Sequence, residues 1–313
     1  MIYKDFINKS ILLHNKVIPA LLKNGFEKIA NSMGECGHYK DIAICNNCLT
    51  AHFYGSNSCK SRFCPICAKK RSLLWLRTMR PVIQDTIASG KKVVFITFTI
   101  KDMDNLSENI NLLNNSFRYL IHDNKNTAKI FKKIFCGGIR SLEIKKGENS
   151  KMWHSHFHCL FVKSTNSPFK QDYDFLKTSW ELITSKLAKC KNKVGSVDYK
   201  AIKINKDLDN ACGCILECFK YMTKLNWDLD NDVVELVQSI KGKRAINSFG
   251  IFRKMLSEVD NNLNNEYLID VVDKKCSTCG NDNFIIVPHT NLKFNNLNDL
   301  IINEEVLYER FKG

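Results

Sequence analysis

Two kinds of hydrophobic pattern alternate along the chain and predict its secondary structure. Some segments have apolar residues at helical spacing, whereas others combine β-branched and aromatic residues in the short runs typical of strands. The predicted helices cover residues 1–30, 68–90, 106–134, 172–189 and 207–225. The predicted strands cover residues 91–100, 136–147, 153–162 and 194–204. This order predicts an α+β fold in which helices pack on a central antiparallel sheet.

The third predicted strand carries three of the eight histidines of the chain. Because side chains alternate between the two faces of a strand, His154, His156 and His158 share one face. Neutral imidazole is the commonest metal ligand in proteins, so this face predicts a metal site. The alternative is a polar strand face with solvated histidines. The opposite face is expected to belong to the core and carries Trp153, Phe157, Cys159 and Phe161.

The charge and cysteine content narrow the class of protein. A formal net charge of +15 over 313 residues favours a polyanionic partner, most simply nucleic acid. The first residues lack the apolar core of a signal peptide, and no apolar run is long enough to span a membrane. Without a secretion signal, fourteen cysteines indicate reduced thiols in a cytosol, where clustered cysteines are typical of metal sites.

The cysteines of the N-terminal part predict zinc binding, with two groupings open. Cys45 and Cys48 form one C-x-x-C pair, and Cys64 and Cys67 form another at a spacing that suits a single four-thiolate site. His38 and His52 are alternative ligands. The second grouping forms two sites and tethers the C-terminal pair to the N-terminal segment: Cys36, Cys59, Cys64 and Cys67 in one, and Cys45, Cys48, Cys276 and Cys279 in the other. The cysteines expected in the core are Cys136, Cys159, Cys190, Cys212, Cys214 and Cys218.

The last predicted helix places three chemically active side chains on one face. Glu217, Tyr221 and Lys224 are separated by four and three residues, which makes them neighbours on a helix surface. Beside a metal site, a tyrosine can attack phosphorus, a carboxylate can act as a base and a lysine can bind phosphate. The alternative is an ordinary surface pair beside a half-buried tyrosine.

Three segments, in this order, resemble the motifs of HUH endonucleases: FITFTIKDM, WHSHFHCLFV and ECFKYMTK. The sequence is similar in particular to the rolling-circle replication initiators of small bacterial plasmids. SCKSRFCPICAKKRS resembles the cysteine-rich stretch that precedes the nuclease in those proteins, and KGKRAINSFG resembles a basic run that they carry. The resemblance covers roughly residues 36–250 and rests on the combination of motifs.

The resemblance implies roles for the residues of these motifs. It implies that His156 and His158 hold Mn²⁺ or Mg²⁺, and that His154 matches a histidine often seen before that pair. Glu143 matches the third ligand. Strand alternation agrees, because Glu143 points to the face opposite that of its apolar neighbours Leu142 and Ile144. The implied nucleophile is Tyr221, which forms a 5′-phosphotyrosine. Glu217 matches the glutamate that some of these initiators carry where relatives have a second tyrosine. Ser155 departs from the proline that is common in the second motif.

The resemblance also implies an organisation and partners. The expected parts are a helical segment, 1–30, a zinc-binding segment with a basic helix, 31–90, an HUH nuclease domain, 91–250, and a C-terminal segment, 251–313. Expected partners are single-stranded origin DNA, a host helicase and polymerase, and further copies of the chain, in the bacterial cytoplasm and away from membranes. The residues expected to bind the DNA backbone are Lys69, Lys70, Arg71, Arg77, Arg80, Lys241, Lys243 and Arg244.

Two other functions compete with replication initiation. A single-strand transposase with a zinc-binding N-terminus would use the same chemistry, but many of those proteins carry two tyrosines in the third motif. A non-catalytic, zinc-dependent nucleic-acid-binding protein would explain the charge and the cysteines. It would not explain the histidine strand together with Glu217 and Tyr221.

Overall fold

A computed structural model describes residues 11–34, 36, 39–49, 51–56, 58–61, 63–164, 166–192, 194–202, 229–253, 275–276 and 279–288. The chain divides into two compact units. The first unit takes residues 1–19, 26–70 and 262–313, and the second takes residues 20–25 and 71–261. The predicted helix 207–225, with Glu217, Tyr221 and Lys224, lies outside the described residues.

The second unit is built on a five-stranded antiparallel sheet, which confirms the predicted α+β class. The strands are β3 (Val93–Ile100), β4 (Phe135–Lys146), β5 (Trp153–Lys163), β6 (Gly195–Ala201) and β7 (Ile246–Gly250). Their order across the sheet is β6-β3-β5-β4-β7, so the histidine strand β5 lies in the centre. The first four strands were predicted, whereas β7 was expected only as a basic run.

Helices cover one face of this sheet and form the core of the second unit. Phe98 of β3 and Phe157 of β5 both contact Phe117 edge to face, with ring centroids 5.6 and 5.4 Å apart. Trp180 also contacts Phe98 and donates to the carbonyl oxygen of Thr99 at 2.9 Å. The helices of this unit are α4 (Leu106–Arg118), α5 (Lys125–Ile134), α6 (Phe169–Leu187) and α7 (Leu229–Ile240), with most of α3 (Pro65–Ala88).

The prediction of one continuous helix over 106–134 was wrong. Helix α4 ends at Arg118 and widens into a π-helical turn over Tyr119–Asp123. Asn124 then takes an extended backbone, and its side chain accepts hydrogen bonds from the backbone amides of Asn126 and Thr127. This cap satisfies amides that would otherwise lack partners and begins α5 as a separate helix.

The first unit contains a three-stranded antiparallel sheet that sequence periodicity did not predict. Strand β1 (Tyr39–Cys45) lies between β2 (Ala51–Ser56) and β8 (Phe284–Pro288), so the two ends of the chain meet in one sheet.

The predicted N-terminal helix is interrupted: a π-helical turn over Leu13–Val17 leads into α1 (Ile18–Lys23), and α2 (Glu27–Gly34) follows. Gly25 separates α1 from α2 with a φ of +75°, a conformation that favours glycine. Among the described residues, no helix combines the length and apolar character needed to cross a membrane.

Candidate metal centres and their surroundings

The register of the central strands brings two histidines and a glutamate together. His156 lies opposite Glu143 of β4 on one side and opposite Thr99 of β3 on the other. His158 lies opposite Ser141 and Thr97 in the same way. Because all of these positions point to the face of the sheet opposite Phe98 and Phe157, the polar side chains converge on that face.

The three ligand atoms lie within hydrogen-bonding distance of one another. Nε2 of His158 is 2.8 Å from Oε2 of Glu143 and 3.0 Å from Nε2 of His156. Nε2 of His156 is 3.3 Å from the same carboxylate oxygen. Glu143 is fully buried, and the two histidines are 5% and 7% exposed, which excludes the alternative of solvated histidines on a polar face.

Burial favours the neutral form of His156, which is the form that binds a metal ion. Desolvation lowers the pKa of His156 below its ordinary value, against the opposing effect of its hydrogen bond with Glu143. Nδ1 of His158 lies 3.2 Å from Oγ1 of Thr97. A proton on Nδ1 that is donated to this hydroxyl leaves the Nε2 lone pair for a metal ion. The ring of His158 also stacks on Phe95 at 5.4 Å, which fixes its plane.

The spacing of the donors fits a six-coordinate divalent ion. An ion about 2.1 Å from each donor places neighbouring donors of an octahedron about 3.0 Å apart. The three observed separations, 2.8, 3.0 and 3.3 Å, scatter around that value. Two imidazoles and one carboxylate on one side of an ion leave other positions for substrate oxygen and water. Glu143, His156 and His158 can therefore hold a divalent metal ion.

His154 lies outside this group of ligands. Its Nδ1 is 2.6 Å from Oδ1 of Asp102, and its ring centroid is 5.2 Å from that of His156. Asp102 also accepts a hydrogen bond from the hydroxyl of Ser150. Although partial burial opposes it, the hydrogen bonds from Ser150 and His154 hold the pKa of Asp102 below its ordinary value. His154 is thus oriented by a carboxylate beside the metal ligands.

The cysteines follow the second of the two predicted groupings. Sγ of Cys36 lies 3.4 Å from Sγ of both Cys64 and Cys67, and Cys59 is 3.6 Å from Cys67. The grouping of Cys45 and Cys48 with Cys64 and Cys67 is not formed. The reason is tertiary, since β8 carries the C-terminal pair beside β1. The second cluster has sulfur separations of 3.5 Å and contains Cys45, Cys48, Cys276 and Cys279.

Both clusters have the donors and spacing that suit zinc. Zinc–sulfur bonds of about 2.3 Å put the sulfur atoms of a tetrahedral site about 3.8 Å apart, close to the separations observed. In the first cluster, hydrogen bonds led by the one from Cys36 lower the pKa of Cys67. The hydrogen bond with Cys59 raises the pKa of Cys36, and the hydrogen bond with Cys36 raises the pKa of Cys64. Without a cation, the four thiols therefore cannot all lose their protons easily. A divalent cation would allow all four to deprotonate.

Comparison with known proteins identifies the family. Over residues 50–287 the sequence matches the family described as Replication protein. The chain belongs to this family of replication proteins. It is 29% identical to "Protein rep" of Streptococcus pneumoniae serotype 2 (strain D39 / NCTC 7466) over 66% of this chain and 67% of the relative. It is 26% identical to "Protein rep" of Lentilactobacillus hilgardii over 79% of this chain and 81% of the relative. No solved structure matches the chain at a significant level.

Membership of the replication-protein family confirms the resemblance to replication initiators that the three motifs suggested. The match starts at residue 50 and ends at residue 287, so it includes the candidate metal ligands of the sheet and the predicted Glu217 and Tyr221. It also reaches the C-terminal cysteine pair that completes the second cluster.

The basic residues predicted to contact DNA in this replication protein have different surroundings. Lys241 and Arg244 are exposed, whereas Lys243 donates to Oδ1 of Asn111 at 2.8 Å and burial lowers its pKa. Arg71 is half-buried on α3. The side chains of the remaining predicted residues of α3 lie outside the described ones: Lys69, Lys70, Arg77 and Arg80.

Two polar residues of the site had no assigned role in the sequence-based prediction. Thr97 and Asp102 both fall within or beside the first motif, where they were counted only as part of a strand and its end. Each contacts a histidine: Thr97 contacts His158, and Asp102 contacts His154. A polar residue at alternate positions of an otherwise apolar strand was the available signal, but its partner depended on register.

Proposed function

We propose that this protein initiates plasmid replication by nicking and rejoining one DNA strand as an HUH endonuclease. The observation that carries the proposal is the buried group of Glu143, His156 and His158, at ligand spacing, in a member of a replication-protein family. A structural role alone does not explain why two imidazoles and a carboxylate converge on one polar face of a sheet. A metal ion held with open positions can polarise a phosphate and neutralise charge during phosphoryl transfer.

The proposed reaction is a transfer of the phosphoryl group to a tyrosine. The phenolic oxygen of Tyr221 attacks the scissile phosphorus, and a bond forms between them. The phenolic proton passes to solvent, and the bond from phosphorus to the 3′ oxygen breaks. That oxygen takes up a proton from solvent, which leaves a 5′-phosphotyrosine and a free 3′ hydroxyl as primer. Glu143, His156 and His158 would hold Mn²⁺ or Mg²⁺, which would neutralise charge and polarise the phosphate. Lys224 contacts the phosphate as a point charge.

Resolution of the covalent intermediate needs a second nucleophile. The third motif contains one tyrosine, so water or a strand end must attack the phosphotyrosine. Glu217, one helical turn before Tyr221 in the sequence pattern, accepts the proton of that nucleophile. The phosphotyrosine bond breaks, and the phenol is released for another cycle.

The remaining parts have supporting roles in the proposal. Zn²⁺ held by each cysteine cluster stabilises the first unit, and the basic residues of α3 and of the 241–244 run contact the DNA backbone. Origin DNA in single-stranded form is the substrate, a host helicase and polymerase extend the primer, and further copies of the chain assemble at the origin. This sequence of events takes place in the bacterial cytoplasm.

Mapping of the covalent adduct tests the proposal. We expect an origin oligonucleotide and Mn²⁺ to give a single phosphotyrosine at Tyr221, detected by mass spectrometry, and Tyr221→Phe to give none. Tyr199→Phe is the matched control and should nick normally. Tyr199 lies opposite Ile96 on the helix-covered face of the sheet, and burial, with the charge of Asp172, raises its pKa.

The outcomes separate the competing functions. An adduct on Tyr199, or nicking by Tyr221→Phe, contradicts the assigned nucleophile. A protein that binds DNA and zinc but neither nicks nor forms an adduct is a non-catalytic binding protein instead. The transposase alternative loses support because the family match is to replication proteins.

A further inference from the structure

Three aromatic rings form a cluster at the edge of the five-stranded sheet. Phe169 and Tyr173 lie one turn apart on α6, and Tyr199 on the outermost described strand, β6, contacts both of them. The ring of Tyr199 is 6.1 Å from that of Phe169 and 6.4 Å from that of Tyr173, edge to face in each case. All three side chains are partly exposed. We call Phe169, Tyr173 and Tyr199 the aromatic cluster.

A buried ion pair holds the aromatic cluster in place. Lys163, at the end of β5, pairs with Asp172 of α6, and both side chains are almost fully buried. Nζ of Lys163 also donates to the carbonyl oxygen of Ser167 at 2.6 Å and lies 4.6 Å from the ring of Phe169. These contacts anchor the start of α6, so the cluster needs little ordering before a ligand binds.

Lysines lie beside the rings of the aromatic cluster. Nζ of Lys92 lies 5.5 Å from the ring of Phe169, and Nζ of Lys177 lies 5.9 Å from that of Tyr173. Lys170, next to Phe169 in sequence, is exposed. Two acidic residues nearby are paired with lysines: Asp172 with buried Lys163, and exposed Asp198 with Lys200 at 3.2 Å. Asp174 is exposed and opposes only part of this positive charge.

The aromatic cluster is separate from the metal ligands. Tyr199 lies opposite Ile96, and Ile96 lies opposite Cys159, all on the face that the helices cover. His158, one residue before Cys159, points to the other face. A ligand on the cluster therefore does not occupy the site where the phosphate would react.

We infer that the aromatic cluster is a stacking platform for single-stranded DNA outside the metal site. Partly exposed rings can stack on any base because every base has a π face, and lysines beside them can contact the phosphates between stacked bases. Duplex DNA keeps its bases inside and would use the lysines without the rings, so the combination favours a single strand. The inference rests on the proposed function in taking DNA as the substrate, and it adds a second contact for the strand that is nicked.

Binding of an oligothymidine to the full-length protein, followed by fluorescence anisotropy, tests the platform. We expect Tyr173→Ala and Phe169→Ala each to weaken binding about 5- to 150-fold, the range that corresponds to one lost base–aromatic contact. Tyr173→Phe keeps the ring and should bind as the parent does. Tyr119→Ala is the matched control, because Tyr119 is also partly exposed and has Lys186 at 5.4 Å from its ring, but lies outside the cluster.

Photocrosslinking of the unmodified protein gives a test that does not depend on the folding of a variant. An oligonucleotide with 5-iodouracil should crosslink to Phe169, Tyr173 or Tyr199, as mapped by mass spectrometry. Crosslinks only elsewhere, or alanine variants that melt as the parent does and bind equally well, overturn the platform. A parent protein that crosslinks through the cluster but does not nick contradicts only the proposed function. A parent that nicks without cluster crosslinks contradicts only the platform.

Discussion

At the scale of single residues, the hydroxyl of Thr97 contacts one of the three candidate metal ligands, Nδ1 of His158. Thr97→Val removes the partner of His158 Nδ1 and preserves the size of the side chain. We expect Mn²⁺ affinity, measured by calorimetry, to fall about 10- to 100-fold, as for other lost partners of ligating histidines. Thr97→Ser should restore it.

Thr99→Val is the control for the Thr97 variant. Thr99 lies two residues further along β3 on the same face, and among the described residues its hydroxyl has no hydrogen bond to a metal ligand. We expect this variant to bind Mn²⁺ as the parent does. Equal loss of affinity in both variants would mean that the strand itself, and not the hydroxyl of Thr97, was disturbed.

The proposed role of Glu217 predicts a difference between the two steps of the reaction. Glu217→Gln keeps the shape of the side chain and removes the base. Since Tyr221 brings its own oxygen, we expect nicking to persist, while release of the covalent adduct slows by about 10²-fold or more. A gel assay of adduct decay measures this, and Glu217→Tyr should restore strand transfer. If the Gln variant releases its adduct as fast as the parent, termination uses another group.

At the scale of elements, helix α7 makes side-chain hydrogen bonds to the start of α4 and to the start of β5. The carboxylate of Glu235 accepts hydrogen bonds from the backbone amide of Leu106 at 2.6 Å and from the indole of Trp153 at 2.7 Å. Asp232, one turn earlier, pairs with Lys146 at 3.1 Å. A negative charge at the first turn of α4 also interacts favourably with the helix dipole.

The Glu235 contact predicts a measurable loss of stability. Glu235→Ala leaves the buried indole of Trp153 without this acceptor, and we expect the free energy of unfolding to fall by about 2 kcal/mol. Glu235→Gln retains an acceptor and should lose less. Urea denaturation followed by circular dichroism compares the two. An Ala variant as stable as the parent would show that another group or water replaces the carboxylate.

At the scale of the whole molecule, the second cysteine cluster joins parts of the chain that are far apart in sequence. Cys45 and Cys279 are 234 residues apart, and β1 and β8 pair beside them. A metal ion that closes so long a loop stabilises the fold by restricting the unfolded chain. Its removal should therefore release the C-terminal segment.

The two clusters together predict about two zinc ions per chain. We expect Cys279→Ser to lose one of them, measured by mass spectrometry of the metal content, and to be cleaved faster by a protease within its C-terminal segment. Cys190→Ser is the control, because Cys190 lies in neither cluster and is exposed, so its prediction as a core residue was wrong. A parent protein with less than about one zinc per chain contradicts the four-thiolate assignment.

Local pattern was sufficient for the elements and ligands that a strand or helix defines by itself. Alternation along β5 placed His156 and His158 on one face and Trp153 and Phe157 in the core, and the structure bears this out. The same argument put Glu143 on a polar face of β4. These predictions succeed because side-chain direction in a strand has a period of two, whatever lies beside the strand.

Only the tertiary structure decided which of these residues meet. Strand register placed Glu143 opposite His156, and the fold brought Asp102 into contact with His154. The pairing of β8 with β1 decided between the two cysteine groupings. Strands β1, β2 and β8 also escaped prediction, because their short runs lack a distinctive period. Register and long-range pairing come from the packing of the whole chain, which no local window of sequence contains.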